Sequence, residues 1–226
     1  MDISIFEVLG PVMIGPSSSH TAGAARIARI ARLVADNDVK KVVFGLHGSF
    51  AKTYKGHGTD KALVAGILGM KEDDEHIRDS FSIAAKEGID FKFIETEIKD
   101  GHENTVLIEI WDSKGIKHKL IGSSIGGGRI LISNIDDFEV EIAAENPVII
   151  TKQRDKKGVI SDITSLLARN NINIAVMRVS RKERGTEAST IIETDDEIPL
   201  SIIGEIKVLE NIKDVKVMNF TESREL

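Results

Sequence analysis

The clearest hydrophobic pattern lies in the last third of the chain. PVIITKQ has the β-branched composition of a strand, and GVISDITSLLARNN places one apolar face on a helix, formed by Ile160, Ile163, Leu166 and Leu167. INIAVMRVS and EASTIIETD predict two strands joined by a turn at Gly185. PLSIIGEIKVLE predicts a helix with proline in its first turn, and VKVMNF a last strand. This β-α-β-β-α-β order is the ferredoxin-like arrangement.

In the first two thirds of the chain, predicted helices come early and predicted strands come late. A helix is expected from Thr21 to about Ala35, with Ile27, Ile30 and Val34 at core spacing. TDKALVAGILG and HIRDSFSIAAKEG predict two more helices. Strands are predicted for VKKVVFGLHG, IDFKFIE, TVLIEIWD, KHKLIGSS, RILISNI and FEVEIA. This order favours an α+β domain over a doubly wound sheet.

The segment AAENP marks the predicted domain boundary, with residues 1–145 in the first domain and residues 146–226 in the second. A net charge of −6 argues against a general nucleic-acid binder, which needs clustered Lys and Arg. The absence of cysteine excludes disulfides, thiolate metal ligands and a cysteine nucleophile. The start MDISIF lacks the features of a signal peptide, and no apolar run is long enough for a membrane span, so we expect a cytoplasmic protein.

The densest polar cluster precedes the first predicted helix and consists of Ser17, Ser18, Ser19, His20 and Thr21. Backbone N–H groups at a helix start are unpaired and carry partial positive charge, so carboxylates and phosphates bind there. The hydroxyl groups add further donors. A histidine at this position is favoured in its neutral form, which is the form a general base requires. The alternative is a well-capped loop with spare serines.

A second polar motif is GSFAKTYKGHGTDKALVAGILG, in which Gly56 and Gly58 flank His57. Glycine on both sides permits unusual backbone dihedrals and leaves the imidazole uncrowded. Thr59 follows at the start of the next predicted helix. We place His57 at a strand–loop–helix junction, where a site residue and an ordinary histidine both remain open.

Two further motifs carry weaker signals. DGHENTVLIEI places His102 and Asn104 directly before a strand, which alone is typical of a polar turn. GSSIGGGRI carries three consecutive glycines within strand-like flanks, which indicates a bulge or a close backbone approach. This segment lacks the G-x-G-x-x-G spacing, and no Walker-type lysine follows it, so a nucleotide-binding role is disfavoured.

Taken in order, GPSSSHTAG, GSFAxTxxGHGTDxAL, HxNT and GxSxGGG resemble the motifs of the β chain of bacterial iron–sulfur L-serine dehydratases. NINIAVMRVSR and EASTIIETD resemble the middle strands of an ACT domain, so the resemblance covers essentially the whole chain. It implies an α+β fold. An N-terminal domain similar to the allosteric substrate-binding domain of some phosphoglycerate dehydrogenases would precede a ferredoxin-like βαββαβ ACT domain. The third motif usually carries proline where this chain has Glu103.

The resemblance implies one subunit of an L-serine ammonia-lyase, inactive without an α chain whose cysteines hold a 4Fe-4S cluster. This chain alone would bind no cofactor or metal. The catalytic base would be His57, with His20 as second choice. The substrate-binding residues would be Ser17, Ser18, Ser19, Thr21, Gly58, Thr59, Asn104 and Thr105.

The expected partners are the α chain, L-serine and a second copy bound through the ACT domain, with no nucleic acid and no membrane. The alternative function is a non-catalytic amino-acid-sensing regulatory subunit. Such a sensor would need the anion-binding residues but would have no use for a glycine-flanked base.

Overall fold

The computed structural model describes residues 13–136, 138–181 and 183–220, so the interpretation of MDISIF concerns residues outside the described part. The chain divides into two compact units, Met1–Ala143 and Ala144–Leu226. Within the described ranges, no helix is both long enough and apolar enough to cross a membrane.

The first unit is built on a six-stranded mixed sheet. Its strands are β1 (Lys41–Leu46), β2 (Asp90–Glu95), β3 (Thr105–Trp111), β4 (Lys117–Gly126), β5 (Arg129–Ile135) and β6 (Phe138–Ile142). The order across the sheet is β2-β1-β3-β4-β5-β6. Strands β1 and β2 are parallel, and the other neighbours are antiparallel. Every strand predicted for this unit is present, and the mixed α+β class is confirmed.

The helices of the first unit are α1 (Ala24–Val34), α2 (Gly48–Thr53), α3 (Thr59–Ile67) and α4 (Ser80–Lys86). A π-helical segment, Ser18–Gly23, leads directly into α1, and a 3-10 turn, Glu75–Asp79, leads into α4. The sequence did not predict α2. The junction that carries His57 is therefore helix–loop–helix, and its expected strand–loop–helix setting was wrong.

The six residues of α2 carry no helical periodicity, and its start depends on a distant part of the chain. Gly48 adopts a left-handed conformation with φ 59°. The N–H groups of Ser49 and Phe50 then donate to the carbonyl oxygen of Glu103, at 2.7 and 3.3 Å. A carbonyl contributed from so far along the chain leaves no local sequence signal.

Helices α1 and α3 pack in close contact because Gly66 has no side chain. A Cβ atom on Gly66 would lie 2.3 Å from the carbonyl oxygen of Ala25 and 2.6 Å from Cβ of Ala28. Three half-buried arginines join α1 to other parts of the unit. Arg26 donates to the Gly128 carbonyl at 2.9 Å, Arg29 pairs with Glu72 at 3.3 Å, and Arg32 donates to the Ile67 carbonyl at 2.6 Å. These contacts hold α1 in place, and with it the π-helical segment that leads into α1.

The second unit has the predicted βαββαβ order. Its elements are β7 (Val148–Arg154), α5 (Val159–Arg169), β8 (Ile174–Arg181), β9 (Glu187–Thr194), α6 (Leu200–Lys207) and β10 (Ile212–Met218). The four strands form an antiparallel sheet in the order β10-β7-β9-β8. Ile163 and Leu167 of α5 are fully buried against this sheet, together with Ile149 and Ile192. Ile160, expected on that apolar face, is only half-buried.

Strand β8 forms one edge of the four-stranded sheet and is unusually open. Every residue after Ile174 is exposed, although three of them are large and apolar. Val176 is 37% exposed, Met177 41% and Val179 50%. An edge strand with this composition is suited to pairing with another chain.

Candidate functional site

The serine-rich motif forms the π-helical segment. Ser17 precedes it in an extended conformation, and its Oγ accepts the N–H of His20 at 3.2 Å. The amides of Ser18 and Ser19 stand at the start of the helix, where no preceding turn offers them a carbonyl. π-Helical turns are rare and occur frequently at functional sites. These two amides and the half-buried hydroxyls beside them are suited to an anion.

Gly23, at the end of the π-helical segment, lets this segment lie directly on β4. A Cβ atom there would be 2.1 Å from Oγ of Ser124. Ser124 is completely buried, and its backbone N–H donates to the carbonyl of Asn104 at 2.9 Å. The first and fourth sequence motifs are thus in contact, and Asn104 of the third motif adjoins them.

The two candidate histidines meet although they come from separate motifs. The ring centroids of His20 and His57 are 4.7 Å apart, with the planes tilted by 34°. The hydroxyl of Thr21 donates to the carbonyl of His57 at 3.4 Å, which ties the two loops together. Phe50 of α2 packs edge-on against His20 at a centroid distance of 5.3 Å.

Both ring nitrogens of His20 have hydroxyl partners. Nδ1 lies 3.4 Å from Oγ of Ser17, and Nε2 lies 3.3 Å from Oγ of Ser49. Burial, and secondly the neighbouring His57, lower the pKa of His20 below its ordinary value. The lowered pKa favours the neutral imidazole of His20, and both of its nitrogens have partners within the protein.

His57 presents the opposite situation. Its Nδ1 is buried and has no hydrogen-bond partner in the described part of the chain. Its backbone is fixed, because its N–H donates to the Thr53 carbonyl at 3.1 Å and the following Gly58 adopts a left-handed φ of 69°. Of the two imidazoles, His57 is therefore the one with an unpaired ring nitrogen.

Unpaired buried polar atoms occur mostly in the four sequence motifs. Within the described residues, five buried side-chain atoms lack a partner, and four of them belong to the quoted motifs: His57 Nδ1, Thr59 Oγ1, Asn104 Oδ1 and Ser124 Oγ. Leaving a buried polar group unpaired costs about 1–3 kcal/mol. Such groups in native proteins call for a specific explanation, such as a ligand, a catalytic role or an ordered water.

Two of the predicted site residues, Thr105 and Ser17, are already hydrogen-bonded within the protein. The hydroxyl of Thr105 is buried, donates to the His102 carbonyl at 2.6 Å and pairs with Ser123 at 2.7 Å, so it holds the loop that carries Asn104. Ser17 caps the π-helical segment, because its Oγ accepts the backbone N–H of His20. The same Oγ also lies 3.4 Å from Nδ1 of the His20 ring.

The backbone N–H groups at the start of α3 also have hydrogen-bond partners within the protein. The N–H of Thr59 donates to the Tyr54 carbonyl, and the N–H of Lys61 donates to Asp60. Burial raises the pKa of Asp60 above its ordinary value. The amides available to an anion are thus those of the π-helical segment, whereas α3 contributes the side chain of Thr59.

Ser49 and Ser124 take part in the site but were not among the predicted residues. Both lie within quoted motifs, GSF and GSSIGGG. Ser124 follows Leu120 and Gly122 at alternate, buried positions of β4, so a polar residue on a buried strand face was the available signal. In the described ranges, no group of three or more His, Asp or Glu side chains is placed to hold a metal ion.

Comparisons with known proteins agree with both units. A family model described as serine dehydratase beta chain matches residues 4–86, and the ACT domain model matches residues 148–211. A probable L-serine dehydratase, beta chain, of Bacillus subtilis is 43% identical over 94% of this chain and 96% of its own length. The L-serine dehydratase, beta chain, of Peptoniphilus asaccharolyticus is 41% identical over 95% and 97%. A D-3-phosphoglycerate dehydrogenase of Synechocystis is 28% identical over 80% of this chain and 33% of its own length.

Proposed function

The chain belongs to the family of L-serine dehydratase beta chains, and from this premise we propose that it supplies half of an active site shared with an alpha chain. The reaction converts L-serine into pyruvate and ammonia. The observation that carries the proposal is the set of unpaired buried atoms of His57, Asn104 and Ser124. The π-helical segment contacts His57 through Thr21 and Ser124 through Gly23, and Ser124 bonds the Asn104 carbonyl.

In this proposal, the substrate carboxylate binds the start of the π-helical segment. The amides and hydroxyls of Ser18 and Ser19 are the available donors there. Thr21 closes the same segment onto the His57 loop through its bond to the His57 carbonyl. A substrate held by its carboxylate at this position lies next to both imidazoles.

His57 acts as the base. The α-proton of serine is weakly acidic, so a neutral group within hydrogen-bond distance is required. Nδ1 of His57 has no partner among the described residues, whereas both nitrogens of His20 are engaged by serine hydroxyls. The proton moves from Cα to the imidazole of His57, the C–H electron pair forms the Cα=Cβ bond, and the C–O bond of Cβ breaks so that hydroxide leaves with its electron pair. Aminoacrylate is the product. Aminoacrylate tautomerises to an imine, and one water then releases ammonia and pyruvate.

The leaving hydroxyl group is assisted from outside this chain. The chain contains no cysteine, so it offers no thiolate to an iron–sulfur cluster, and the cysteines of the alpha chain would hold it. When bound there, a 4Fe-4S cluster would supply a Lewis acid for the substrate hydroxyl. Asn104 and Thr59 contribute the remaining polar contacts from this chain, through oxygens that have no partner in the part of the chain that the structure describes.

The experiment uses the complex co-expressed with its alpha chain under anaerobic conditions. His57→Ala should lower turnover by a factor of about 100–10,000, the usual range for loss of a general base. It should also abolish exchange of the α-proton with deuterated water. Cluster content should stay unchanged, and His76→Ala is the control because His76 is exposed and pairs with Asp74. If His20→Ala abolishes exchange while His57→Ala retains it, His20 is the base.

A regulatory subunit that binds an amino acid without chemistry is the second candidate. The similarity to a D-3-phosphoglycerate dehydrogenase over 80% of this chain favours it, because the matching region is only one third of that enzyme. The same histidine variants separate the two functions. If neither variant affects turnover or exchange, the regulatory function is the one supported.

We also propose that two copies of the chain associate through the edge strand β8 of the ACT unit. This strand is the edge of its sheet and exposes Val176, Met177 and Val179. An antiparallel pairing of two such edges would bury these side chains in an isologous interface.

A further inference from the structure

Ser49 has no role in the chemistry proposed above, yet its hydroxyl contacts His20. Oγ of Ser49 lies 3.3 Å from Nε2, on the opposite side of the ring from Ser17. The imidazole of His20 is therefore held at both nitrogens, by hydroxyls from two different elements.

The position of the Ser49 hydroxyl is fixed by its own backbone. The N–H of Ser49 donates to the Glu103 carbonyl at 2.7 Å, and its carbonyl accepts the hydroxyl of Thr53 at 2.8 Å. Gly48 allows this close approach, since a Cβ atom there would lie 2.6 Å from the same carbonyl of Glu103. Because both the N–H and the carbonyl of Ser49 are hydrogen-bonded, its backbone is fixed and its Oγ is held beside the imidazole.

His20 transmits this order to His57. One neighbour of the His20 ring is Phe50, and another is the ring of His57 at 4.7 Å. A rotation of His20 would therefore displace the imidazole that carries the free Nδ1. We propose that Ser49 is a positioning residue, which fixes the plane and tautomer of His20 and through it the ring of His57. This inference rests on the proposed role of His57 as the base.

The hydrogen bonds also predict which nitrogen of His20 carries the proton. Oγ of Ser17 already accepts the backbone N–H of His20, so its own proton is free to donate to Nδ1. Nδ1 is then the acceptor, and Nε2 carries the ring proton and donates it to Ser49. Without the Ser49 hydroxyl, this tautomer loses its acceptor.

The direct test is nitrogen-15 NMR of the histidine side chains in the full chain, which has only six histidines. We expect the Nε2–H tautomer for His20 in the wild type. Ser49→Ala should shift the ring signals of both His20 and His57, and Ser49→Thr, which keeps the hydroxyl, should restore them. Ser82→Ala is the matched control, because Ser82 is exposed and its hydroxyl donates to the Asp79 carbonyl. Unchanged His20 signals in Ser49→Ala would overturn the inference.

The functional test uses the complex with the alpha chain. Misplacement of a reacting group by about 1 Å can cost 100-fold, so Ser49→Ala should lower kcat by about 10- to 100-fold and leave KM nearly unchanged. Ser49→Thr should recover most of this loss. A raised KM with unchanged kcat would mean that Ser49 contacts the substrate, and the inference would be wrong. Full turnover in Ser49→Ala also overturns it if His57→Ala is inactive; full turnover in both variants instead refutes the base role of His57.

Discussion

A buried neutral histidine affects stability in a way that depends on pH. The pKa of His20 is lower in the folded chain than the ordinary value of about 6.5 expected after unfolding. As the pH falls, the unfolded chain therefore takes up this proton first. The contribution of His20 to stability is complete above about pH 6.5 and is lost as the pH falls towards the folded pKa.

His20→Gln should consequently reduce the loss of unfolding free energy between about pH 7.5 and about pH 5.5. Urea denaturation of the isolated full chain at several pH values measures this slope. The control is Ser82→Ala, which removes an exposed hydroxyl but no titratable group and should keep the wild-type slope. Equal slopes in His20→Gln and the wild type would show that His20 does not titrate as its burial indicates.

At the level of elements, the contact between the π-helical segment and β4 depends on Gly23. Gly23→Ala should destabilise the chain by about 1–3 kcal/mol, because the new methyl group would meet the side chain of Ser124. Gly204→Ala in α6 is the matched control, since a Cβ atom there meets nothing within 4 Å. It should instead stabilise the chain by about 0.5–1 kcal/mol.

The double variant Gly23→Ala/Ser124→Gly tests whether this contact is the cause. It removes the side chain that the new methyl group meets, and chemical denaturation should show part of the lost stability regained. If the double variant is no more stable than Gly23→Ala, the strain lies elsewhere in the π-helical segment.

The same elements show how far the sequence alone could lead. Alternating β-branched residues predicted the strands, because burial on one face requires that pattern. The sequence also pointed to His20 and His57, since polar clusters before helices and glycine-flanked histidines are local signals. Their contact was not predictable, because it depends on how α1 and α3 pack around Gly66. Ser49 was missed for the same reason as α2, whose start requires the distant carbonyl of Glu103.

For the whole molecule, the open edge of the ACT unit predicts the oligomeric state. We expect the full chain to be a dimer in light-scattering measurements at micromolar concentration. Val179→Lys should give a monomer, because it places a charge on the exposed apolar strand β8. Val208→Lys is the control: Val208 is 82% exposed but lies outside β8, so the dimer should persist. A monomeric wild type would refute the proposed pairing.

The start of α2 is bonded to the backbone carbonyl of Glu103, so these bonds do not depend on which side chain stands at position 103. Every residue has a backbone carbonyl, proline included, and within the described chain the N–H of Glu103 donates no hydrogen bond. Glutamate can therefore stand where the related motif usually has proline, without disturbing Ser49. Glu103→Pro should preserve the fold and raise the free energy of unfolding by about 0.4–1 kcal/mol, as measured by thermal denaturation. Gly48→Ala, which places a methyl group against the same carbonyl, should lower the melting temperature. We therefore expect the side chain at position 103 to vary among related chains, whereas position 48 should remain glycine.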